Sequence, residues 1–325
     1  MTVGVFIPTS TAPERIAPLA AAAEHLGFEE VWVAEDCYFN GGFSSAALAL
    51  AATSRVKVGL GVVSSVTRHP AAVAMEIATL AGAHPGRFLP GIGHGLGLWT
   101  DQMGISPRSP LTALRECLTS VRAMLAGETV QLAGREFTLR SIAAAHPPAE
   151  RVPLLTGVVG RRSLELSGEI ADGTVASILA GPRYLQSARE AIGAGMRTGG
   201  RSEHLLPTFA LASVDKDGKA AKEAMRPVLG YFLHALGAHN GLTAPCGYND
   251  RIGELIAGGG PEQVAAELPE EWIDELTLSG DPDEVTERIR RLIDAGATSV
   301  LVSPVNPTIA EELELVADAV LPQLR

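Results

Sequence analysis

Short apolar runs alternate along this chain with longer amphipathic runs that are rich in alanine and leucine. The short runs are almost continuously apolar, which is typical of parallel strands that are buried on both faces. The longer runs carry apolar residues at helical spacing, and several of them end at glycine. The pattern predicts strands at residues 3–8, 30–36, 56–63, 87–93, 151–158, 172–178, 205–214 and 298–304.

Most of these strands are followed by a predicted helix, and the first four begin about 25 to 30 residues apart, which is the size of a βα unit. Eight such units predict an α/β protein with a (β/α)8 TIM barrel. A doubly wound open sheet is the alternative. That fold calls for a glycine-rich phosphate loop after the first strand, whereas the sequence there is PTSTAPER. The predicted helices span residues 13–28, 43–54, 70–83, 108–126, 160–171, 182–197, 216–235, 280–297 and 308–324.

Two stretches, about 127–150 and 232–275, interrupt the alternation of strands and helices. The first contains EFTLRSI, which predicts a small hairpin, and the second is typical of loops and short helices. We interpret residues 1–325 as a single barrel domain that carries these two insertions.

Composition narrows the possible partners. The formal net charge is -11, which argues against nucleic acid or an anionic membrane as the main partner but is compatible with a small-molecule substrate. The three cysteines, Cys37, Cys117 and Cys246, are far apart and odd in number, so we expect a reducing cytoplasm and no disulfide framework. We find no pattern of a signal peptide, a membrane span or a metal site.

In a barrel of this kind the chemistry lies where the strands end, so the residues after each strand are the candidates. Glu35 and Asp36 follow the second predicted strand. Two adjacent carboxylates at this point can orient a ligand or move a proton. The alternative is a solvated turn in which the aspartate caps a helix.

The third strand, in VGLGVVSSVTRHPA, holds Gly59 and Gly61 within an apolar run. Glycine weakens a strand interior, so something is expected to approach the backbone closely. Either a flat ligand lies against it, or neighbouring strands pack tightly there. GIGHGLGLW, at 91–99, is a second glycine-rich segment after the fourth strand, but Leu96 breaks the match to G-x-G-x-x-G.

TGVVGRRS, at 156–163, follows the same plan at the fifth strand: a strand, a turn of small residues and a helix with Arg161 and Arg162 in its first turn. The free N–H groups and the dipole of a helix N-terminus favour an anion. Arginine is unfavourable there on dipole grounds alone, so the arrangement predicts a phosphate site.

Taken in order, these segments resemble the luciferase-like (LLM class) coenzyme F420-dependent oxidoreductase family, in the branch that contains methylenetetrahydromethanopterin reductase. The segments that carry the resemblance are VWVAED, VGLGVVSSVTRHPA, GIGHGLGLW, TGVVGRRSLELSGEIADG and GDPDEVTERIRRLIDAGATSVLVSP. The resemblance covers nearly the whole chain and is weakest in the two insertions. It implies a (β/α)8 barrel, a homodimer, and a cofactor that lies across the carboxyl ends of the strands.

The resemblance also implies a bulge in the third strand, with a non-proline cis peptide at Gly61–Val62 that supports the deazaflavin ring of F420. The tail of the cofactor is expected at the fourth and fifth strands, with its phosphate after the fifth. The cofactor-binding residues implied in this way are Glu35, Gly61, Val62, Val63, Ser64, Gly93, His94, Gly95, Thr156, Gly157, Val158, Val159, Gly160 and Arg161.

The implied reaction is hydride transfer between C5 of the deazaflavin and a small organic substrate, as C=C or C=N reduction or alcohol oxidation. Asp36 is the catalytic candidate, because a carboxyl group partly withdrawn from water can act as a proton donor. It stands where the sugar-phosphate dehydrogenase branch carries a histidine, which argues against oxidation of a sugar phosphate. The alternatives are an FMN-dependent luciferase-like monooxygenase and a catalytically silent binding protein.

Overall fold

The computed structural model describes residues 1–306 and 309–325, and its main feature is a nine-stranded parallel sheet covered by helices. An antiparallel hairpin, β5 and β6, lies apart from this sheet. The strands are β1 (Thr2–Phe6), β2 (Glu30–Val33), β3 (Lys57–Ser64), β4 (Phe88–Gly93), β5 (Val130–Ala133), β6 (Thr138–Ile142), β7 (Leu155–Gly157), β8 (Gly173–Val175), β9 (Pro207–Val214), β10 (Leu278–Gly280) and β11 (Ser299–Pro304).

Helices follow most of these strands. They are α1 (Pro13–His25), α2 (Gly42–Ala51), α3 (Pro70–Ala83), α4 (Gly97–Gln102), α5 (Pro110–Leu125), α6 (Arg161–Ile170), α7 (Pro182–Gly199), α8 (Gly218–Leu236), α9 (Asn249–Gly258), α10 (Pro261–Glu267), α11 (Glu270–Leu276), α12 (Pro282–Asp294), α13 (Ile309–Leu315) and α14 (Leu321–Leu324). A short 3₁₀ turn (Ala244–Cys246) precedes α9, and a π turn (Val316–Val320) joins α13 to α14. In the described ranges, no helix combines the length and apolar character required to cross a membrane.

The sheet curls so that β8 lies beside β9. The strand order is β10-β9-β11-β1-β2-β3-β4-β7-β8. Isolated parallel bridges then pair Gly173 with Leu205 and Ala176 with Thr208, which connects β8 back to β9. The carboxyl ends of the strands therefore meet at one end of the curled sheet, where they can build a common site.

The predicted α/β class and the predicted parallel strands are confirmed, with shorter strands at 155–157 and 173–175. The hairpin predicted in the first insertion is also confirmed. The sequence pattern missed β10 and α4, which are only three and six residues long. The last predicted helix is divided by the π turn, and its first residue, 308, lies outside the described residues.

Local signals in the sequence explain where several helices begin. Asp281 and Glu284 form a complete capping box at α12, in which each side chain accepts the other's backbone N–H. His69 caps α3 by accepting the N–H of Ala71 at 3.2 Å. Proline follows at the first helical position in both helices, where its missing N–H costs nothing.

The core has two parts. The larger part lies between the sheet and the helices. The smaller part lies inside the curled sheet and is built from Trp32, Leu89, Leu155, Val175, Phe209 and Leu301. Below it, buried Glu30 accepts hydrogen bonds from the Trp32 indole at 2.7 Å and from Ser299 at 3.0 Å. This inner cluster is the layer on which the candidate site rests.

Candidate active site at the carboxyl ends of the strands

A cavity of about 430 Å³ opens at the carboxyl ends of β2, β3, β4, β7 and β8. Ten of the residues singled out from the sequence line it: Glu35, Asp36, Gly61, Val62, Ser64, His94, Gly95, Gly157, Val159 and Gly160. The structure thus brings together residues from four separate segments of the chain. The other lining residues are Cys37, Thr67, Leu96, Trp99, Thr100, Met103, Val175, Ser177 and Phe209.

Five of the singled-out residues do not line this cavity. Val63 and Val158 are buried in the core between the sheet and the helices. Thr156 is fully buried, and its hydroxyl donates to Ser167 Oγ at 2.6 Å. These three side chains support the site from behind. The other two residues are Gly93, at the end of β4, and Arg161, at the start of α6.

β3 forms the floor of the cavity through an irregularity in its pairing. Its register with β4 shifts between Leu60 and Val63, which is the bulge that the resemblance implied. The peptide bond Gly61–Val62 is cis, also as implied. Across the register shift two consecutive residues, Gly61 and Val62, line the cavity, whereas Leu60 and Val63 on either side pack against the helices.

The glycines of β3 lie against aromatic side chains. The Trp32 indole covers Gly59 so closely that no Cβ atom fits there. A Cβ atom on Gly61 would lie 2.7 Å from Cζ of Phe209. Phe209 in turn stacks on Phe6, with ring centroids 4.5 Å apart. Tight packing therefore accounts for Gly59, and Gly61 both packs on Phe209 and faces the cavity.

The glycines of β4 and β7 make room for one side chain, that of Val62. A Cβ atom added to Gly91, Gly93 or Gly157 would lie 2.7 Å from a methyl carbon of Val62. Gly93 and Gly157 are further locked together, since a Cβ atom on Gly93 would also lie 2.6 Å from the Gly157 carbonyl oxygen. The glycine-rich segments thus leave the space that the Val62 side chain occupies in the floor of the cavity. They do more than expose backbone to a ligand.

Glu35 is held by an arginine. Arg68 donates to its two carboxylate oxygens at 2.6 and 2.7 Å, and the backbone N–H of Gly42 donates to Oε2 at 2.9 Å. The Glu35 side chain is only 10% exposed, and the Arg68 guanidinium lies 5.4 Å from the ring centre of Phe43. The carboxylate raises the pKa of Arg68. The pair is therefore electrically neutral as a unit and fixes the wall of the cavity.

Asp36 faces the cavity without a cation. Its Oδ2 accepts the hydroxyl of Thr9 at 2.7 Å, which joins the loop after β2 to the loop after β1. Asn40 fastens the same two loops by donating to the carbonyl of Thr9 at 3.1 Å and to that of Thr11 at 2.7 Å. A carboxyl group held in this way has the position required of a general acid or base.

Cys37 follows Asp36 in the wall, and the peptide bond Cys37–Tyr38 is a second non-proline cis bond that the sequence did not predict. Burial, together with the carboxylates of Glu35 and Asp36, raises the pKa of the Cys37 thiol. The thiol therefore stays protonated at neutral pH, and the site lacks the thiolate that nucleophilic cysteine chemistry requires.

His94 connects the end of β4 to the start of α6. One ring nitrogen, Nε2, lies 2.9 Å from Ser163 Oγ, and the hydroxyl of Ser64 donates to the His94 carbonyl at 3.1 Å. Burial lowers the pKa of His94, and the nearby backbone of Pro110 offsets part of that shift. The imidazole is thus neutral at pH 7, suited to hydrogen bonding rather than to pairing with an anion.

The N-terminus of α6 borders the cavity through Gly160. Gly160 is the N-cap residue and supplies no side-chain cap, so the first N–H groups of the helix are free of that partner. The Arg161 side chain is 77% exposed and lies 3.1 Å from Glu165. Arg162 borders a different groove, between α5, α6 and α7. The first turn of α6 therefore presents N–H groups and one exposed cation beside the cavity.

The residues present fit a flavin-type ring with a phosphate tail. Gly61, Val62, Val175 and Phe209 provide an apolar floor, as a planar ring requires. The uncapped N-terminus of α6 provides donors for a phosphate at one end of that floor. The cavity thus has the two features that such a cofactor requires.

The sequence missed two groups of lining residues. Leu96, Trp99 and Met103 lie on or beside α4 at spacings of three and four, so helical periodicity extended past the glycines would have found them. Phe209 and Val175 lie on β9 and β8 and turn into the curled sheet. No signal in the sequence separates these inward-facing residues from other buried strand residues.

A model of the family described as luciferase-like monooxygenase matches residues 1–299, which is most of the chain. The chain belongs to this family. The resemblance drawn from the sequence and the prediction of an enzyme are both confirmed. The family assignment agrees with a curled parallel sheet whose cavity lies at the carboxyl ends of the strands.

Individual members of this luciferase-like family match along nearly their whole length. The chain is 30% identical to the 5,10-methylenetetrahydromethanopterin reductase of Methanopyrus kandleri, covering 99% of this chain and 98% of that protein. It is 29% identical to the enzyme of the same name from Methanolobus tindarius, covering 99% of this chain and 100% of that protein. It is also 29% identical to the F420-dependent glucose-6-phosphate dehydrogenase of Nakamurella multipartita, covering 96% and 93%.

Solved structures agree with the family assignment. The coenzyme F420-dependent tetrahydromethanopterin reductase from Methanopyrus kandleri superposes with a TM-score of 0.87 at 27% identity, covering 100% of this chain and 99% of that chain. An F420-dependent secondary alcohol dehydrogenase has a TM-score of 0.83 at 21% identity, covering 100% and 99%. The second match supports the fold alone.

Proposed function

We propose that this protein is a coenzyme F420-dependent oxidoreductase that transfers a hydride between the deazaflavin and a small organic substrate. The observation that carries the proposal is the match, over nearly full length, to reductases that use F420. The cavity supports it independently, because its apolar floor and the N-terminus of α6 fit a planar ring with a phosphate.

In this proposal separate groups of residues bind the ring, bind the phosphate and transfer the proton. Val62 and Phe209 hold the ring from below, and the first turn of α6 with Arg161 holds the phosphate. When bound, the deazaflavin supplies or accepts the hydride at its C5 carbon. Asp36 gives a proton to the substrate or takes one from it, and Thr9 fixes the orientation of its carboxylate.

The scaffold that we propose for this chemistry is a (β/α)8 barrel. The bridges between β8 and β9 support this interpretation, because they join the two ends of an eight-stranded arc. β10 pairs with the carboxyl-terminal end of β9 and is then an addition to the barrel.

A side-by-side titration tests the cofactor. The purified protein is titrated with F420 and with FMN while fluorescence quenching is followed. We expect saturation by F420 at micromolar concentration and none by FMN over the same range. Oxygen uptake with reduced FMN is measured in parallel and is expected to stay at the rate without protein. Tighter binding of FMN, with rapid oxygen uptake, would replace this proposal with a flavin monooxygenase.

A further inference from the structure

Four large side chains at the mouth of the cavity form a surface that the folded protein leaves partly uncovered, called here the apolar rim: Tyr38, Leu96, Trp99 and Met103. Tyr38 is 66%, Leu96 50% and Met103 37% exposed. Leu96, Trp99 and Met103 line the cavity, as does Cys37, the neighbour of Tyr38. The rim is therefore continuous with the candidate active site.

A hydrogen bond joins the two sides of the rim. The Tyr38 hydroxyl donates to Oε1 of Gln102 at 3.2 Å, which connects the loop after β2 to α4. The rim is thus one surface drawn from two segments. Exposed apolar side chains that cluster beside a cavity mark a binding site more often than scattered ones do.

The charges around the cavity limit what this surface can bind. No lysine or arginine is found among the described residues that line it. Arg68, behind the wall, has both carboxylate oxygens of Glu35 as its partners. The carboxylate of Asp36 is then the charge that a substrate meets. An anionic group placed here would face Asp36 without a cation beside it, which is unfavourable.

We propose that the apolar rim binds the uncharged, apolar body of the substrate and that the site disfavours phosphorylated or otherwise anionic substrates. This inference rests on the proposed function, in which the cofactor phosphate occupies the first turn of α6. That turn is the part of the cavity with free N–H donors and a nearby arginine. The anion-binding end is then taken by the cofactor, and the rim is left for the substrate.

The chain offers a matched pair of leucines for the test. Leu96 and Leu98 lie two residues apart, at 50% and 61% exposure. Leu96 lines the cavity and Leu98 is outside its lining. Both substitutions to alanine remove the same atoms from partly exposed positions, so a difference between them reports on the rim and not on folding.

The experiment measures binding, so that it does not depend on turnover. Tetralone, a neutral bicyclic ketone, and glucose-6-phosphate are each added to the F420-loaded protein, and affinity is measured by ligand-observed NMR. We expect tetralone to bind and glucose-6-phosphate to bind at least about tenfold more weakly. We expect Leu96→Ala to weaken tetralone binding about five- to tenfold, which is the range for a lost apolar contact of this size. Leu98→Ala should leave it within about twofold of wild type.

Equal effects of the two substitutions, or preferential binding of glucose-6-phosphate, would overturn this inference. The F420 titration of the wild-type protein separates the two proposals. Failure of F420 to bind would overturn the proposed function, and tetralone binding to the cofactor-free protein would still test the rim. Saturable F420 binding together with no effect of Leu96→Ala would overturn the rim alone.

Discussion

At the scale of single residues, Asp36 differs from the acidic residue beside it. Both oxygens of Glu35 accept hydrogen bonds from Arg68, whereas Asp36 accepts from the neutral hydroxyl of Thr9 and faces the cavity. A neutral donor orients a carboxylate without cancelling its charge. In the function proposed above, Asp36 is therefore the carboxyl group that we infer to exchange a proton with the substrate, and not Glu35.

The substitution Asp36→Asn tests this assignment. It keeps the shape of the side chain and removes the acid, so we expect kcat to fall by about a hundredfold, the lower range for loss of a general acid. The affinity for F420 should stay within about twofold. The steady-state change in deazaflavin absorbance, with a neutral ring enone as acceptor, measures kcat. Fluorescence quenching measures the affinity for F420.

Asp101→Asn is the control, because Asp101 lies on α4 and does not line the cavity. It should leave both quantities unchanged. A wild-type rate in Asp36→Asn would assign the proton to another group, with Cys37 the next candidate because its thiol stays protonated.

Residues whose place in the fold follows from their neighbours in the chain were predictable. The positions of Asp36 and Gly61, at the end of one predicted strand and within another, predicted that they lie at the cavity. The contacts of Val62 with Gly91, Gly93 and Gly157 were not found, because they join three strands through one side chain. The partnership of Glu35 with Arg68 also escaped notice, since 33 residues separate the two in the chain.

At the scale of elements, the turn between β7 and α6 combines a helix terminus with an exposed arginine, Arg161. Arg161 is 77% exposed, and its contact with Glu165 is a surface ion pair of the kind that contributes little stability. A turn of this side chain toward an anion at the start of the helix would therefore break only a weak, exposed contact. The turn therefore has the properties of a phosphate-binding element.

Arg161→Ala is expected to weaken F420 about tenfold, as the loss of one charge-assisted hydrogen bond does. The deazaflavin riboside, which lacks the phosphate, should bind equally to variant and wild type. Fluorescence quenching at low and at high salt measures both ligands, and salt should reduce the difference for F420.

Arg162→Ala provides the comparison, since the neighbouring arginine borders the groove between α5, α6 and α7. An equal loss in Arg161→Ala and Arg162→Ala would mean that general charge, and not this turn, attracts the cofactor.

Elements with strong local signals were predictable, and short ones were not. α12 begins at a capping box that its sequence spells out, and its bounds matched to within a few residues. β10 has only three residues, and it is a strand because β9 pairs with it. α4 begins among glycines, which disguise its helical spacing. Contacts with distant parts of the chain determine that β10 and α4 form, and the local sequence pattern does not indicate those contacts.

At the scale of the whole molecule, a buried carboxyl group outside the cavity lining makes stability depend on pH. Glu312 on α13 accepts the N–H of Val214 at 3.0 Å and the amide of Asn306 at 2.7 Å. Burial raises the pKa of Glu312 from 4.5 to about 7. Because the folded state holds the proton more tightly, Glu312 contributes stability below about pH 4.5, and that contribution is lost as pH rises through about 7.

The free energy of unfolding should therefore fall by about 3 kcal/mol from this group between about pH 4.5 and about pH 7. Glu312→Gln removes the titration, so its stability should decline less than that of wild type over this window. Denaturant unfolding at several pH values measures the difference. Glu311→Gln changes an exposed neighbour and should follow wild type; a parallel decline in Glu312→Gln and wild type would refute the assignment.

The seating of Val62 on three glycines has a practical consequence for reshaping this enzyme. The side chain of Val62 forms part of the floor, and the space it occupies is left by the missing Cβ atoms of the three glycines. Trimming residue 62 to alanine would lower the base of the pocket and admit a bulkier ligand. Adding a methyl at Gly157 would instead push the valine upward, because the atoms nearest to that methyl belong to the Val62 side chain. The depth of the pocket can thus be tuned at a single codon, without changing Asp36 or the first turn of α6.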